Sequence, residues 1–257
     1  MLLVKDGFMM DDQDRMYHIQ CKKGDVGRYV LLPGDPFRTD KIAKYLDDAK
    51  LVSHNREHKT WTGYLDGEKV SVVSTGMGCP STAIALEELI HIGADTFIRV
   101  GTAGCINNDL RKPETLGGIV SSAVRGDGTS DMYVPKGYPA VADRHVVDAL
   151  ATAAERLGFP FDEGICYSKD GFYPYCLPDT SPMGEQIKAE YEMLKKSNVL
   201  LTEMESSVMF VISSIRRCRA SGIMAYSDAP EVAENVEKTI QTACEAIRIL
   251  IRKDKGN

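Results

Sequence analysis

The sequence predicts an α/β domain on a mixed sheet, and three observations carry that reading. Short apolar runs alternate with segments of helical periodicity along the chain, the pattern of a largely parallel sheet with crossover helices. Several apolar runs stop at Gly- or Ser-containing junctions, where open α/β sheets bind ligands. One pair of extended runs, 59–65 and 69–74, is split by Asp66-Gly67, a hairpin signal that makes the sheet mixed.

The elements follow in order. Residues 1–15 read as a flexible acidic tail, and 16–257 as a single domain, a length that one core can serve. The run YVLL at 29–32, ending at Pro33-Gly34, reads as a buried strand, and a helix is expected over 39–45. Beyond the hairpin, 81–92 places Ala83, Leu86, Leu89 and Ile90 on one helical face, and Gly93 ends it. Strands are expected at 96–100 and 119–124. A helix over 143–157 starts at Asp143 as N-cap, buries Val146, Val147, Leu150, Ala153 and Leu157, and stops before Gly158. A strand at 165–168, helices at 184–196 and 206–215, and a strand at 222–226 complete the sheet. The last helix is marked by Val236, Ile240, Ala243, Ile247 and Leu250, spaced by four and three.

Composition narrows the function. Basic residues number 31 and acidic residues 37, giving a net charge of −6. Nucleic acid is disfavoured as the main partner, because phosphate backbones need a positive field; a small phosphorylated ligand needs only a few local cations. The cysteines at 21, 79, 105, 166, 176, 218 and 244 form no CxxC pair and read as reduced thiols of a cytoplasmic protein. Lys5 and Asp6 interrupt the first apolar residues, so no signal peptide is expected. The uncharged run 70–86 is broken by Ser, Gly and Pro and does not read as a membrane span.

The junctions after strands hold the chemistry-bearing residues. Pro33-Gly34-Asp35-Pro36-Phe37-Arg38 offers backbone N–H groups and a forked cation to an anion, or is a tight turn with a surface arginine. Ser74-Thr75-Gly76-Met77-Gly78 before Ser81 is a Gly-rich strand-to-helix junction suited to phosphate or a sugar edge, or a close-packed turn. Ser81 stands where a dinucleotide fingerprint needs glycine, which disfavours a dehydrogenase. Arg99 lies inside an apolar strand; a buried arginine must be paired, and an oxyanion is a natural partner, with the Thr102 hydroxyl nearby. Glu203 and Glu205 flank Met204, so the carboxylates can accept from a sugar diol or support a cationic centre, or simply start a solvated helix. Asp228, after the strand at 222–226, is a general acid for a leaving base or a turn residue. His54 and His58, four apart, lack an evident third ligand and do not read as a metal pair.

Taken together and in this order, YHIQ (17–20), VGRYVLLPGDPFR (26–38), NREHKTW (55–61), VSTGMGCPSTAIALEEL (73–89), FIRVGTAG (97–104), YPAVAD (138–143), DGFYP (170–174) and EMES (203–206) resemble the nucleoside phosphorylases, and most closely the uridine phosphorylase branch. The resemblance runs from about Tyr17 to Ile251. It implies a three-layer α/β/α sandwich around a mixed, partly barrel-like β-sheet, and phosphorolysis of a nucleoside to free base and pentose 1-phosphate. No organic cofactor is implied, and inorganic phosphate is the co-substrate. Gly34, Arg38, Arg99 and Thr102 match the phosphate site, and Arg56 the arginine lent to it by a neighbouring subunit. Met204 and Glu205, with Glu203 beside them, match the ribose grip, and His18 the histidine supplied across the interface. Phe172 matches the aromatic on the base. Glu57, Met77 through its backbone, and Ser81 match a monovalent-cation site, implying K+ at a dimer interface. Homodimers, often three to a hexamer, are the implied working unit.

The base pocket departs from this pattern. Uridine phosphorylases resemble FYPGQER after the aromatic, whereas Phe172 here is followed by YPYCLP, so Cys176 and Pro178 replace the Gln and Arg that read uracil. Ser227-Asp228 resembles the Ser-Asp of purine phosphorylases and adenosine-type nucleosidases. A purine substrate with Asp228 as general acid, a hydrolytic nucleosidase and a nucleoside-binding protein without turnover are therefore the rival expectations. The set Arg38, Arg56 and Arg99 favours phosphate over water as nucleophile.

Overall fold

The computed structural model describes residues 3–5 and 7–256. The order opens with β1 (Leu3–Lys5), β2 (Phe8–Met10), β3 (Tyr29–Leu32), α1 (Pro36–Ala43), β4 (Asp47–Asn55), β5 (His58–Leu65), β6 (Glu68–Val73) and α2 (Cys79–His91). It continues with β7 (Thr96–Cys105), β8 (Gly117–Gly126), β9 (Ala140–Val141), α3 (Arg144–Leu157), β10 (Asp162–Lys169) and α4 (Tyr173–Cys176). It closes with α5 (Gly184–Lys196), β11 (Val199–Glu203), α6 (Ser206–Ile215), β12 (Arg219–Tyr226) and α7 (Val232–Asp254).

The sheet runs β11-β10-β8-β12-β7-β3-β6-β5-β4, and a second pairing of β11 with β7 closes its first five strands on themselves. This closure is the barrel-like part of the sheet. Parallel pairs (β3–β7, β12–β7, β3–β6, β10–β8) mix with antiparallel ones (β12–β8, β11–β7, β5–β6, β4–β5). Helices α3 and α7 pack together against β12, while α2 and α6 form a second pair, with α6 against β8 and β12. The fold is the α/β/α sandwich expected, and its central strands are largely apolar: Phe97, Ile98 and Val100 of β7 and Ile223, Met224 and Ala225 of β12 are fully buried, as strands covered on both faces must be.

Local signals explain most boundaries. Asp143 caps α3 by accepting from the N–H groups of His145 and Val146, and Gly158 ends it at φ 66°. Helix α1 begins earlier than the expected 39–45 because Asp35 caps it, accepting from the Phe37 N–H, with Pro36 at its first position. The hairpin at Asp66-Gly67 is present, with both residues at positive φ, and β4 extends it to three strands. Strand β7 runs five residues past the expected 100 because Gly101 and Gly104 stay extended in the barrel wall.

Within the expected tail, Leu3–Lys5 and Phe8–Met10 pair antiparallel, and Met10 is buried in the core. Acidic residues cluster after the hairpin, where Asp11 accepts from the N–H groups of Gln13 and Arg15, so composition hid a small ordered element. All seven cysteines are unpaired, and no helix among the described residues is long and apolar enough to cross a membrane.

Candidate active site

A cleft of about 530 Å³ opens at the carboxyl ends of β3, β6 and β7, lined by Gly34, Asp35, Pro36, Arg38, Glu57, Gly76, Met77, Ser81, Arg99, Thr102 and Glu205. It is within the range for small-molecule sites. The junctions singled out in the sequence thus meet in space because their strands are neighbours in the sheet.

Arg99 is the electrostatic centre. It is nine-tenths buried or more; its Nε donates to Glu203 Oε2 at 3.0 Å and its Nη2 pairs with Glu205 Oε2. Its Nη1 is buried with no hydrogen-bond acceptor, and a β-carbon placed on Gly34 would sit 3.8 Å from it. Burial presses the guanidinium's pKa down, and the two carboxylates more than restore it, leaving it above the ordinary value. A guanidinium with one donor left over and facing a glycine is suited to an oxyanion. Arg38 reaches the same place from α1, donating to the Val100 carbonyl at 3.0 Å. Burial, then repulsion by Arg99, lowers its pKa; an anion between the two cations relieves that repulsion.

The carboxylates divide the work. Glu205 points into the cleft and accepts from the Gly78 N–H, a contact of 2.6 Å. Burial, opposed by Arg99 and reinforced by the charge of Glu203, lifts its pKa to about 7. Glu203, expected beside it in the sugar grip, has a side chain only 1% exposed. Its oxygens accept from Arg99 Nε, Ser168 Oγ and the N–H groups of Glu205 and Ser206. Burial raises its pKa, but Arg99 and these donors outweigh that and hold it below the ordinary value. Every acceptor position faces inward, so Glu203 fixes Arg99 and the start of α6. Strand β11 ends at Glu203 and α6 begins at Ser206, so the turn between them aims the two acids differently.

The cleft rim is shaped by glycine. Gly76 has φ 73°, and a β-carbon there would lie 2.6 Å from Glu57 Cγ and 2.7 Å from Ser81 Oγ. Only glycine permits that approach. Ser81 Oγ donates to Glu57 Oε1 at 2.8 Å and lies 2.5 Å from the Thr75 carbonyl. These are hard oxygen donors of the kind a monovalent or alkaline-earth cation takes. Met77 is exposed.

Other expected site residues are not among those lining the cleft. His18 Nδ1 is 2.6 Å from Glu88 Oε1, its carbonyl accepts from Asn55 Nδ2, and Arg56 lies over the ring of Tyr17. His18 and Arg56 thus form a second cluster on this chain. Phe172 and Cys176 are exposed, and neither lines the cleft. Met204 is half-buried, its carbonyl 3.2 Å from Cys79 Sγ. Asp228 stands past the cleft, paired with Arg111 at 3.2 Å. His58 is buried against the Ser74 carbonyl, in keeping with a structural role.

Sequence reasoning missed Arg111, Ser168, and the Gly78 N–H on Glu205. Ser168 ends an apolar strand, which is a usable signal; Arg111 sits in an irregular loop and gave none.

Comparison with known proteins agrees with this geometry. Residues 28–253 match the model of the phosphorylase superfamily. The chain is 41% identical over 250 residues to the uridine phosphorylase of Treponema pallidum, covering 94% of this chain and 96% of that protein. It is 41% identical over 253 residues to the uridine phosphorylase of Thermococcus kodakarensis, covering 95% and 90%. To the guanosine phosphorylase of Halorubrum lacusprofundi it is 32% identical over 249 residues, covering 91% and 98%. With the match spanning the strands and junctions that build the cleft, the chain belongs to the phosphorylase superfamily.

Proposed function

We propose that this protein is a nucleoside phosphorylase of the uridine type, and that the buried, half-satisfied guanidinium of Arg99 is the observation that carries the reading. Phosphate sits between Arg38 and Arg99 with the Gly34 backbone and Thr102 hydroxyl around it. Held there, one phosphate oxygen attacks C1′ of the pentose as the bond from C1′ to the base nitrogen breaks, and the electron pair leaves with the base. Fixing the two reactants in line replaces a bimolecular encounter, and the phosphate anion stabilises the positive charge developing at C1′. Glu205 accepts from the ribose hydroxyls; with its pKa raised to about 7, it is mostly a carboxylate acceptor above neutral pH. No organic cofactor is needed.

His18 and Arg56 complete the site of a second copy. Their absence from the lining of this chain's own cleft supports that reading, as does the positive φ of Arg56, which turns it out of β-strand geometry at the tip between β4 and β5. A homodimer or a trimer of dimers meets that need, with Glu57, the Met77 carbonyl and Ser81 offering a monovalent cation a seat. The cytoplasm, where nucleosides and phosphate are both available and thiols stay reduced, is the compartment that fits.

The test is direct. Purified protein is incubated with uridine, thymidine, inosine, guanosine, cytidine and adenosine, with and without phosphate, and the products are separated. Phosphate-dependent appearance of base with pentose 1-phosphate is expected. Equal release without phosphate, yielding free pentose, contradicts the proposal.

A further inference from the structure

The segment expected to read the base has no reader in it. Cys176 is exposed, Pro178 has no donor, and Tyr175 turns inward, where its hydroxyl is 2.7 Å from that of Tyr167 and donates to Glu190 Oε2 at 2.6 Å. A forked donor stands elsewhere. Arg111 Nη1 donates to both oxygens of Asp228, each at 3.2 Å, and its guanidinium lies 4.1 Å above the ring of Tyr226.

This arginine is held as a site residue is held. The Tyr226 hydroxyl is anchored on Asp162 Oδ2 at 2.8 Å, and Thr115, on the same loop as Arg111, donates to that oxygen at 2.6 Å. The loop's ends are pinned by the Ile106 N–H on the Leu200 carbonyl and the Leu116 N–H on the Pro160 carbonyl. The Arg111 side chain is 22% exposed, and among the described residues no protein acceptor takes its Nε or Nη2. The pair stands at the carboxyl end of the sheet: Ala225 of β12 pairs with Thr102, which lines the cleft, and the next residues lead to Ser227, whose N–H donates to the Ala103 carbonyl, and to Asp228.

We infer that Arg111 and Asp228 together read the nucleobase and select one presenting a ring N–H beside a carbonyl oxygen. The inference rests on the phosphorolysis reading above. The guanidinium donates to the carbonyl and the carboxylate accepts the N–H. Uracil offers this edge at N3–H and O4, and guanine and hypoxanthine offer it at N1–H and O6. Cytosine and adenine reverse it, setting an amino donor against the guanidinium and a ring acceptor against the carboxylate. Mispairing both groups at once is the kind of mismatch that hydrogen-bonding sites reject most strongly.

The experiment compares kcat/KM for uridine, guanosine, cytidine and adenosine in the wild type and in Arg111→Ala, Arg111→Lys and Asp228→Asn, with phosphate saturation measured for each. Expected are a wild-type preference of about 100-fold or more for the carbonyl-bearing nucleosides, and a loss of about 10- to 100-fold on them in Arg111→Ala at unchanged phosphate saturation. Partial recovery in Arg111→Lys and a narrowed preference in Asp228→Asn are also expected. Arg111→Ala and Arg111→Lys that keep wild-type kcat/KM and preference, with normal phosphate dependence, overturn the inference and leave the phosphorolysis reading standing. A wild type that favours cytidine or adenosine also overturns it. No phosphate-dependent release from any nucleoside overturns both.

Discussion

The cleft and the loops beyond it are built differently. The cleft proposed to take phosphate and ribose stands on regular elements: Arg99 lies within β7, Glu205 at the start of α6, and each is fixed by contacts from several elements. The proposed base readers stand on loops beyond the cleft lining: Phe172 is exposed, Asp228 follows β12, and Arg111 sits in the loop between β7 and β8. A reaction shared by many nucleosides needs one fixed electrostatic seat, and rigid elements supply it. Base selection needs only a few donors and acceptors, which loops can exchange without disturbing that seat.

That contrast is sharpest at Arg99. Arg99→Ala is expected to lower kcat/KM by about 10³-fold or more, because it removes a preorganised donor from the attacking anion. It also leaves Glu203 and Glu205 buried without their cation, which costs about 3–5 kcal/mol, so its thermal midpoint should fall as well. Arg38→Ala removes one of two cations without stranding a carboxylate. It is expected to cost about 10²-fold, read mainly as a raised KM for phosphate. If both variants behaved alike in stability, the special place given to Arg99 in the cleft would be wrong.

The cleft also has a pH signature. Glu205 in the folded protein titrates at about 7, above the ordinary 4.5, so the folded state holds a proton that the unfolded chain releases in that window. Its contribution to stability is fully present below about 4.5 and is lost as pH rises through 7. Glu205→Gln should therefore show a shallower decline of unfolding midpoint between pH 5 and 7.5 than the wild type. Parallel profiles contradict the burial argument. On the loops, Phe172→Ala is expected to raise the nucleoside KM by only about 3- to 10-fold, since it removes stacking from an exposed ring. A loss as large as that of Arg99→Ala would erase the distinction between the cleft and the loops.

How much of this the sequence disclosed follows the same division. Strongly periodic segments such as α3 and α7, the Asp66-Gly67 hairpin and the Asp143 and Gly158 caps were legible because local chemistry alone decides them. Strand β4 was not, because most of its residues are exposed and give no apolar alternation. The meeting of Gly34, Gly76, Arg99 and Glu205 was legible only through the resemblance, since sheet order, not sequence distance, brings β3, β6 and β7 together. The direction of Glu203 escaped because the turn before α6 breaks the strand period. Arg111 escaped because an irregular loop carries no pattern; its position is set by Tyr226 beneath it and Asp228 beside it, residues far away in sequence.

The most direct test of the phosphate seat follows base release from uridine as phosphate is varied, in the wild type and in Arg99→Ala. The expected result is saturable release that vanishes without phosphate, one pentose 1-phosphate per base, and no saturation in the variant. Release from wild type at an undiminished rate without phosphate, or an Arg99→Ala protein with normal phosphate saturation, would contradict the assignment of Arg99 as the anion's anchor.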